Sequence, residues 1–171
     1  VIMVGEMRDT ETAQIAIQSA LTGHLVFSTV HTNSAPATIT RLIDMGIEPF
    51  LVSSSIIGVL AQRLVRRICP DCRKSYQPHP EQLRELGIKE VSFRKLDRRF
   101  FRGDGCDNCR QTGYRGRIGI HELLVMSEGV KNTILESSDS DTIRKQGLKE
   151  KMITLRRDGV NKILHGVTTV A

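Results

Sequence analysis

The chain has 171 residues, 39% hydrophobic and 26% charged, enough to bury a core as one domain with an insert or as two small domains. It contains no apolar run near the ~18 residues that a membrane-spanning helix needs and nothing like a signal peptide, so it reads as soluble and intracellular. The formal charge of +6 is unevenly spread: residues 63–117 hold 15 Lys and Arg against 7 Asp and Glu, a surplus of 8, which leaves −2 for the remainder.

Val1-Ile2-Met3-Val4, apolar and mostly β-branched, reads as a buried strand broken by Gly5 and starting in mid-element. Asp9 or Thr10 then caps a helix with Ala13, Ile15, Ala16, Ile17, Ala20 and Leu21 as its apolar positions and Gly23 as its stop. Leu25 to Val30 gives a second buried strand, ending in His31-Thr32-Asn33. Ser34 caps a further helix with Pro36 in its first turn, running to Gly46. This strand, helix, strand, helix order with continuous apolar strands predicts a parallel sheet covered on both faces, hence an α/β domain over residues 1–68. Pro49 starts another helix, and Val59 to Ile68 reads as a strand leading into the first cysteine pair. Beyond residue 118 the sequence turns helical, with Met152, Leu155, Val160, Ile163 and Leu164 on one broad helix face. Thr168 and Thr169 read as the cap of a helix that is cut off.

The cysteines stand as C-x2-C, 33 residues, C-x2-C: Cys69, Cys72, Cys106 and Cys109. Two such pairs can present four thiolates to one ion in the tetrahedral sulfur geometry that zinc favours, although the spacer exceeds the ~15 to 20 residues of the commonest pattern. The competing readings are two disulfides, which an intracellular chain disfavours, and four unrelated core thiols, which the paired spacing disfavours. With all four ligands sulfur, no position is left for water, so the metal would be structural. The basic residues nearby, among them Arg66, Arg67, Arg73, Arg98, Arg102 and Arg115, suit a solvated surface or a protein-docking face. Without a recognisable stacking motif they do not predict nucleic-acid binding.

Ligands of open α/β sheets gather beyond the carboxyl ends of the strands, which here carry Gly5-Glu6 and His31-Thr32-Asn33. A carboxylate there can orient a water or accept its proton, and a neighbouring histidine can donate to phosphate oxygens. Taken singly, Glu6 is equally an exposed acid and His31 part of a capping loop.

The string Val1-Ile2-Met3-Val4-Gly5-Glu6-Met7-Arg8-Asp9 resembles the Walker B strand and loop of the secretion ATPases that drive type II secretion and type IV pilus assembly. Thr22-Gly23-His24-Leu25-Val26-Phe27-Ser28-Thr29-Val30-His31-Thr32-Asn33 resembles that family's histidine box. Ala61-Gln62-Arg63-Leu64-Val65-Arg66, the cysteine pairs, Thr112-Gly113-Tyr114-Arg115-Gly116-Arg117, Gly119-Ile120-His121-Glu122 and Asp158-Gly159 follow in the family's order over essentially the whole chain. The resemblance implies the C-terminal half of a RecA-like P-loop ATPase domain (residues 1–68), an inserted tetracysteine zinc module (69–118) and a C-terminal helical part (119–171). It makes Glu6 the catalytic Walker B glutamate and His24 and His31 the nucleotide-binding histidine pair, His31 being better placed to sense the terminal phosphate. It further implies Mg-ATP and zinc as cofactors, a homo-hexamer, and a cytoplasmic location beside inner-membrane secretion platform proteins. Retraction motors of the superfamily generally lack the cysteines, and Glu48-Pro49-Phe50 with the following Val52-Ser53-Ser54-Ser55-Ile56-Ile57 looks more like the type II secretion branch than the pilus branch. No G-x-x-x-x-G-K-[ST] phosphate loop occurs, so the expectation is an N-terminally truncated piece that is not an ATPase alone. A free zinc-dependent interaction or nucleic-acid module is the alternative of another class.

Overall fold

The computed structural model describes residues 1–95 and 99–170, so Arg98 and Ala171 lie outside the described residues. The fold resolves into two compact units, each made of two chain segments: Val1–Ala61 with His121–Thr154, and Gln62–Ile120 with Leu155–Ala171. The segment 119–171 thus contributes to both.

In the first unit, β1 (Ile2–Val4) pairs in parallel with β2 (Val26–Ser28), with Ile2 opposite Val26 and Val4 opposite Ser28. The crossover is α1 (Thr10–Leu21), started by the Asp9 carboxylate, which accepts the Thr12 N–H at 2.8 Å. Gly23, at φ 93°, turns the chain back into β2. α2 (Ala35–Asp44) begins where Ser34 Oγ accepts the Ala37 N–H, with Pro36 filling a first-turn position that has no intrahelical use for an N–H. α3 (Pro49–Ser55) leads to β3 (Gly58–Ile68), which pairs with β6 (Tyr114–Val125) in a two-stranded sheet. α6 (Glu128–Glu136) and α7 (Ser140–Lys149) complete the unit, capped by Ser127 and Asp139. Ala13 and Ile17 of α1, Ile39 and Leu42 of α2, Val52 of α3, Leu124 of β6, Val130 and Ile134 of α6 and Ile143 of α7 make one apolar core. Each large side chain buried there favours folding by about 1.5–3 kcal/mol.

The two strands are not covered on both faces as their apolar sequence predicts. Side chains alternate along a strand, and the parallel register puts Met3 beside Phe27 on a face where they are 82% and 54% exposed.

In the second unit, β4 (Arg73–Tyr76) pairs antiparallel with β5 (Phe100–Gly103), Arg73 opposite Gly103. Between them lie α4 (Pro80–Glu85) and α5 (Glu90–Lys95). Phe100 is buried, with the rings of Phe93 and Tyr76 edge-on at 5.3 and 6.2 Å, and Leu83 and Ile163 of α8 (Leu155–Leu164) close this smaller core. Three guanidinium groups lie over rings: Arg66 on Tyr114 at 4.1 Å, Arg73 on Phe101 at 4.6 Å and Arg102 on Tyr76 at 5.8 Å.

Three expectations for the C-terminal part change. The chain after residue 118 continues as β6 to Val125 before turning helical. Met152 lies outside α8 and packs against the first unit's core, while Val160 and Ile163 are the buried positions of α8. The threonines cap no helix: Thr168 Oγ1 donates to the Arg66 carbonyl at 2.8 Å, and Thr169 Oγ1 meets the Tyr114 hydroxyl at 2.8 Å.

Candidate functional site

Because β1 and β2 are parallel, their carboxyl ends emerge side by side. Backbone and side-chain bonds hold them together past the last paired residues: the Met7 N–H donates to the Thr29 carbonyl at 3.0 Å, and Thr29 Oγ1 donates to the Gly5 carbonyl at 2.8 Å. Glu6 and His31 therefore meet. His31 Nε2 lies 2.9 Å from Glu6 Oε1, and the Arg8 Nε–H donates to Glu6 Oε2 at 2.6 Å. The Glu6 side chain is 18% exposed and that of His31 87%, so a sheltered carboxylate is paired with an open imidazole. A carboxylate so held can accept a proton from water, and the ring can face an incoming anion.

His24 is placed differently. It enters β2 where His31 leaves it, and its backbone N–H and its Nδ1 both turn back to the Ser19 carbonyl near the end of α1, at 3.1 and 3.2 Å. The structure brings Glu6 and His31 together and sets His24 at the other end of the strand.

In the second unit, Cys69 follows β3, Cys72 precedes β4, and Cys106 and Cys109 bracket the 3-10 turn Asp107–Cys109 after β5. The β4–β5 pairing closes the 33-residue spacer and carries the second pair onto the first. That spacer is long because it holds a folded insert of two strands and two helices. All four Sγ atoms lie within 4.8 Å of one another. Cys69 and Cys106, Cys72 and Cys109, and Cys106 and Cys109 are separated by 3.8, 3.8 and 3.7 Å. A tetrahedron of sulfurs about 2.3 Å from a zinc ion has edges of about 3.8 Å, whereas a disulfide brings its sulfurs to about 2.05 Å, and all four thiols are free.

The surroundings suit an anionic sulfur at Cys109 but not at Cys106 or Cys72. Burial raises the Cys109 thiol, but the Cys106 and Gly113 backbone N–H groups, at 3.2 and 3.3 Å from its Sγ, and the neighbouring thiols bring it down to about 6. The backbone at Cys109 lowers Cys106, yet burial and the three adjacent sulfurs push it up to about 12, and burial first of all raises Cys72. Four crowded thiols therefore resist full ionisation unless a cation offsets the charge, and this donor set fits a soft divalent metal. Asp71, whose Oδ2 accepts from Asn108 Nδ2 at 3.0 Å and lies 3.6 Å from Arg115, ties the two cysteine loops together from outside. Nothing in the local sequence marks Asp71 for this role, which depends on Asn108 and Arg115 arriving from far along the chain.

These features define a class: an α/β protein with a carboxylate and imidazole at adjacent strand ends and, in a separate unit, a cluster of four cysteine sulfurs that could hold a metal ion. Residues 1–171, the whole chain, match the family described as "Type II/IV secretion system protein", and the chain belongs to that family. It is 49% identical over 170 residues to the type IV pilus assembly ATPase PilB of Thermus thermophilus, covering 99% of this chain and 19% of that protein. It is 50% identical over 169 residues to the type II secretion system protein E of Dickeya dadantii, covering 99% and 32%, and 48% identical over 170 residues to the type II secretion system ATPase E of Vibrio cholerae, covering 99% and 33%. The chain thus spans a third or less of the length of these relatives. In fold it is similar to the ATPase DotB of Legionella pneumophila, with a TM-score of 0.62 at 22% identity, covering 98% of this chain and 36% of that one. Among the described residues, no helix is long and apolar enough to cross a membrane.

Proposed function

We propose that this chain works within a hexameric secretion ATPase that couples ATP hydrolysis to type II protein secretion through pseudopilus assembly, at an inner-membrane platform on the cytoplasmic side. Its first unit then forms part of a RecA-like P-loop domain whose phosphate loop lies elsewhere in the protein. The observation that carries this reading is the Glu6–His31 pair, 2.9 Å apart at neighbouring parallel strand ends.

Mg-ATP, when bound, supplies the phosphoryl group. Phosphoryl transfer to water depends on positioning and charge stabilisation, which is what these residues provide. Glu6 holds and accepts a proton from the water, Arg8 and His31 fix the direction of its carboxylate, and the open His31 ring faces the terminal phosphate. His24, on the far side of β2, takes a secondary place in the nucleotide pocket. Cys69, Cys72, Cys106 and Cys109 would hold zinc, a structural ion that would supply no chemistry to the substrate. Type IV pilus assembly is the second reading, favoured by the 49% identity to the Thermus protein.

The test is Glu6→Gln in the full-length hexamer. It keeps shape and hydrogen-bonding reach but removes basicity, so hydrolysis should fall roughly 10²-fold or more while ATP affinity changes little. Near-normal hydrolysis would return Glu6 to the role of a surface acid.

A further inference from the structure

His31 is aimed at Glu6, yet its side chain is 87% exposed, so packing does not hold it. Its direction depends on the backbone of the six-residue stretch, 29–34, that joins β2 to α2. That stretch is tied to the helix: the Thr32 and Thr38 hydroxyls meet at 2.7 Å, and each reaches the Ser34 carbonyl, at 3.2 and 3.3 Å. The placement of His31 is therefore the placement of the first turn of α2.

One charged residue from outside the segment fixes that turn. Glu122 of β6 is only 3% exposed, on the core-facing side of its strand next to Leu124. Its Oε1 accepts the Ala35 N–H at 2.8 Å. The first three helical positions are then accounted for, since Ala35 is served by Glu122, Pro36 has no N–H, and Ala37 is served by Ser34. A carboxylate at a helix N-terminus is also favoured by the helix dipole, and removing it leaves a buried donor unpaired.

We infer that Glu122 is a positioning residue for the strand-end site: by holding the Ala35 amide it sets the start of α2, and with it the direction in which His31 meets Glu6. The inference rests on the ATPase reading only for its effect on turnover.

The experiment records the ring-nitrogen resonances of labelled histidine in the 171-residue chain, with steady-state hydrolysis by the full-length hexamer beside it. Glu122→Gln keeps an acceptor oxygen for Ala35 and should leave the His31 resonances where they are. Glu122→Ala should move them to where they lie in Glu6→Ala, while those of His79 and His165 stay put. In the hexamer, Glu122→Ala should lower kcat about tenfold or more at nearly constant KM, since misplacement by about 1 Å can cost ~10²-fold, and Glu122→Gln should restore most of it. Unmoved His31 resonances in a folded Glu122→Ala chain would overturn the inference and leave Glu122 a helix cap. Should that variant not fold, Glu122→Asp and Glu122→Gln decide. The shorter acid, one methylene out of reach, should move His31 and the isosteric amide should not; the opposite order refutes the proposal. The ring resonances need no nucleotide, so a His31 shift in Glu122→Ala in a hexamer that shows no ATP hydrolysis would sink the ATPase reading and leave this one standing, while unimpaired hydrolysis in Glu6→Gln would remove only Glu6 from the chemistry.

Discussion

Replacing Gly103 by alanine tests how tightly the cysteine site is built. A Cβ on Gly103 would stand 2.1 Å from the Gly113 carbonyl oxygen, 2.6 Å from its Cα and 2.7 Å from its carbonyl carbon. All three are backbone atoms, so no side chain can rotate away. Ordinary contact begins at 3.4 Å, which requires the two backbones to part by about 1.3 Å. Gly113 cannot follow freely, because its N–H donates to Cys109 Sγ and its carbonyl accepts the Cys69 N–H at 2.9 Å. Overpacking of this kind costs about 3 kcal/mol, which for a unit of roughly 60–100 residues lowers Tm by about 12–24 °C. Gly58→Ala is the matched control: its Cβ would meet the Leu124 carbonyl at an ordinary 3.4 Å, and its effect should stay within about 1 kcal/mol. Thermal melts with metal analysis on both variants measure this. Identical melting of the two, with metal retained in Gly103→Ala, would refute the close-approach argument.

Cys72→Ser should abolish tight binding of one zinc per chain and leave the second unit without its fold, read by native mass spectrometry and near-UV circular dichroism. Ile39→Ala, at a fully buried core position, should destabilise the first unit by about 2–5 kcal/mol in urea, with Ile153→Ala, half-exposed, as the mild comparison. Asp139 caps α7, and the Thr142 backbone N–H and hydroxyl hold its carboxyl below the usual 3.8. A depressed folded-state value means that its stabilisation is present above that pH and is lost as pH falls through the lowered value. Asp139→Asn, which still caps but does not titrate, should leave Tm near neutrality almost unchanged and flatten its decline below about pH 4.

Features encoded over a few neighbouring residues were readable in advance. Asp9, Ser34 and Pro36 mark the starts of α1 and α2 because capping is a local hydrogen bond, and Pro49 marks α3 for the same kind of reason. The cysteine spacing announced the four-sulfur cluster. Glu6 and His31 stood out as strand-end residues, but their 2.9 Å contact depends on parallel pairing across 24 residues of chain between Gly5 and Thr29. The exposure of Met3 and Phe27 was not legible, because an apolar run reads alike whether one face or both are covered. β6 was missed past residue 118 because Leu123-Leu124-Val125 hides a period of two in which Leu124 points inward and its neighbours outward. Glu122 and the Gly103–Gly113 approach arise from residues far apart in sequence, and no local pattern marks them.

The arginines stacked over Tyr114, Phe101 and Tyr76 change what the basic surplus of the second unit means. A flat guanidinium roofs a ring in a way that a lysine ammonium cannot, so these three side chains serve as weatherproofing for scarce aromatic surface in a protein only 4% aromatic. Their charge serves the same task, drawn to the negative faces of the rings. Among relatives, Arg66, Arg73 and Arg102, although exposed like Arg67, should resist replacement even by lysine, so part of the basic surplus is kept for the rings it covers and not for a partner.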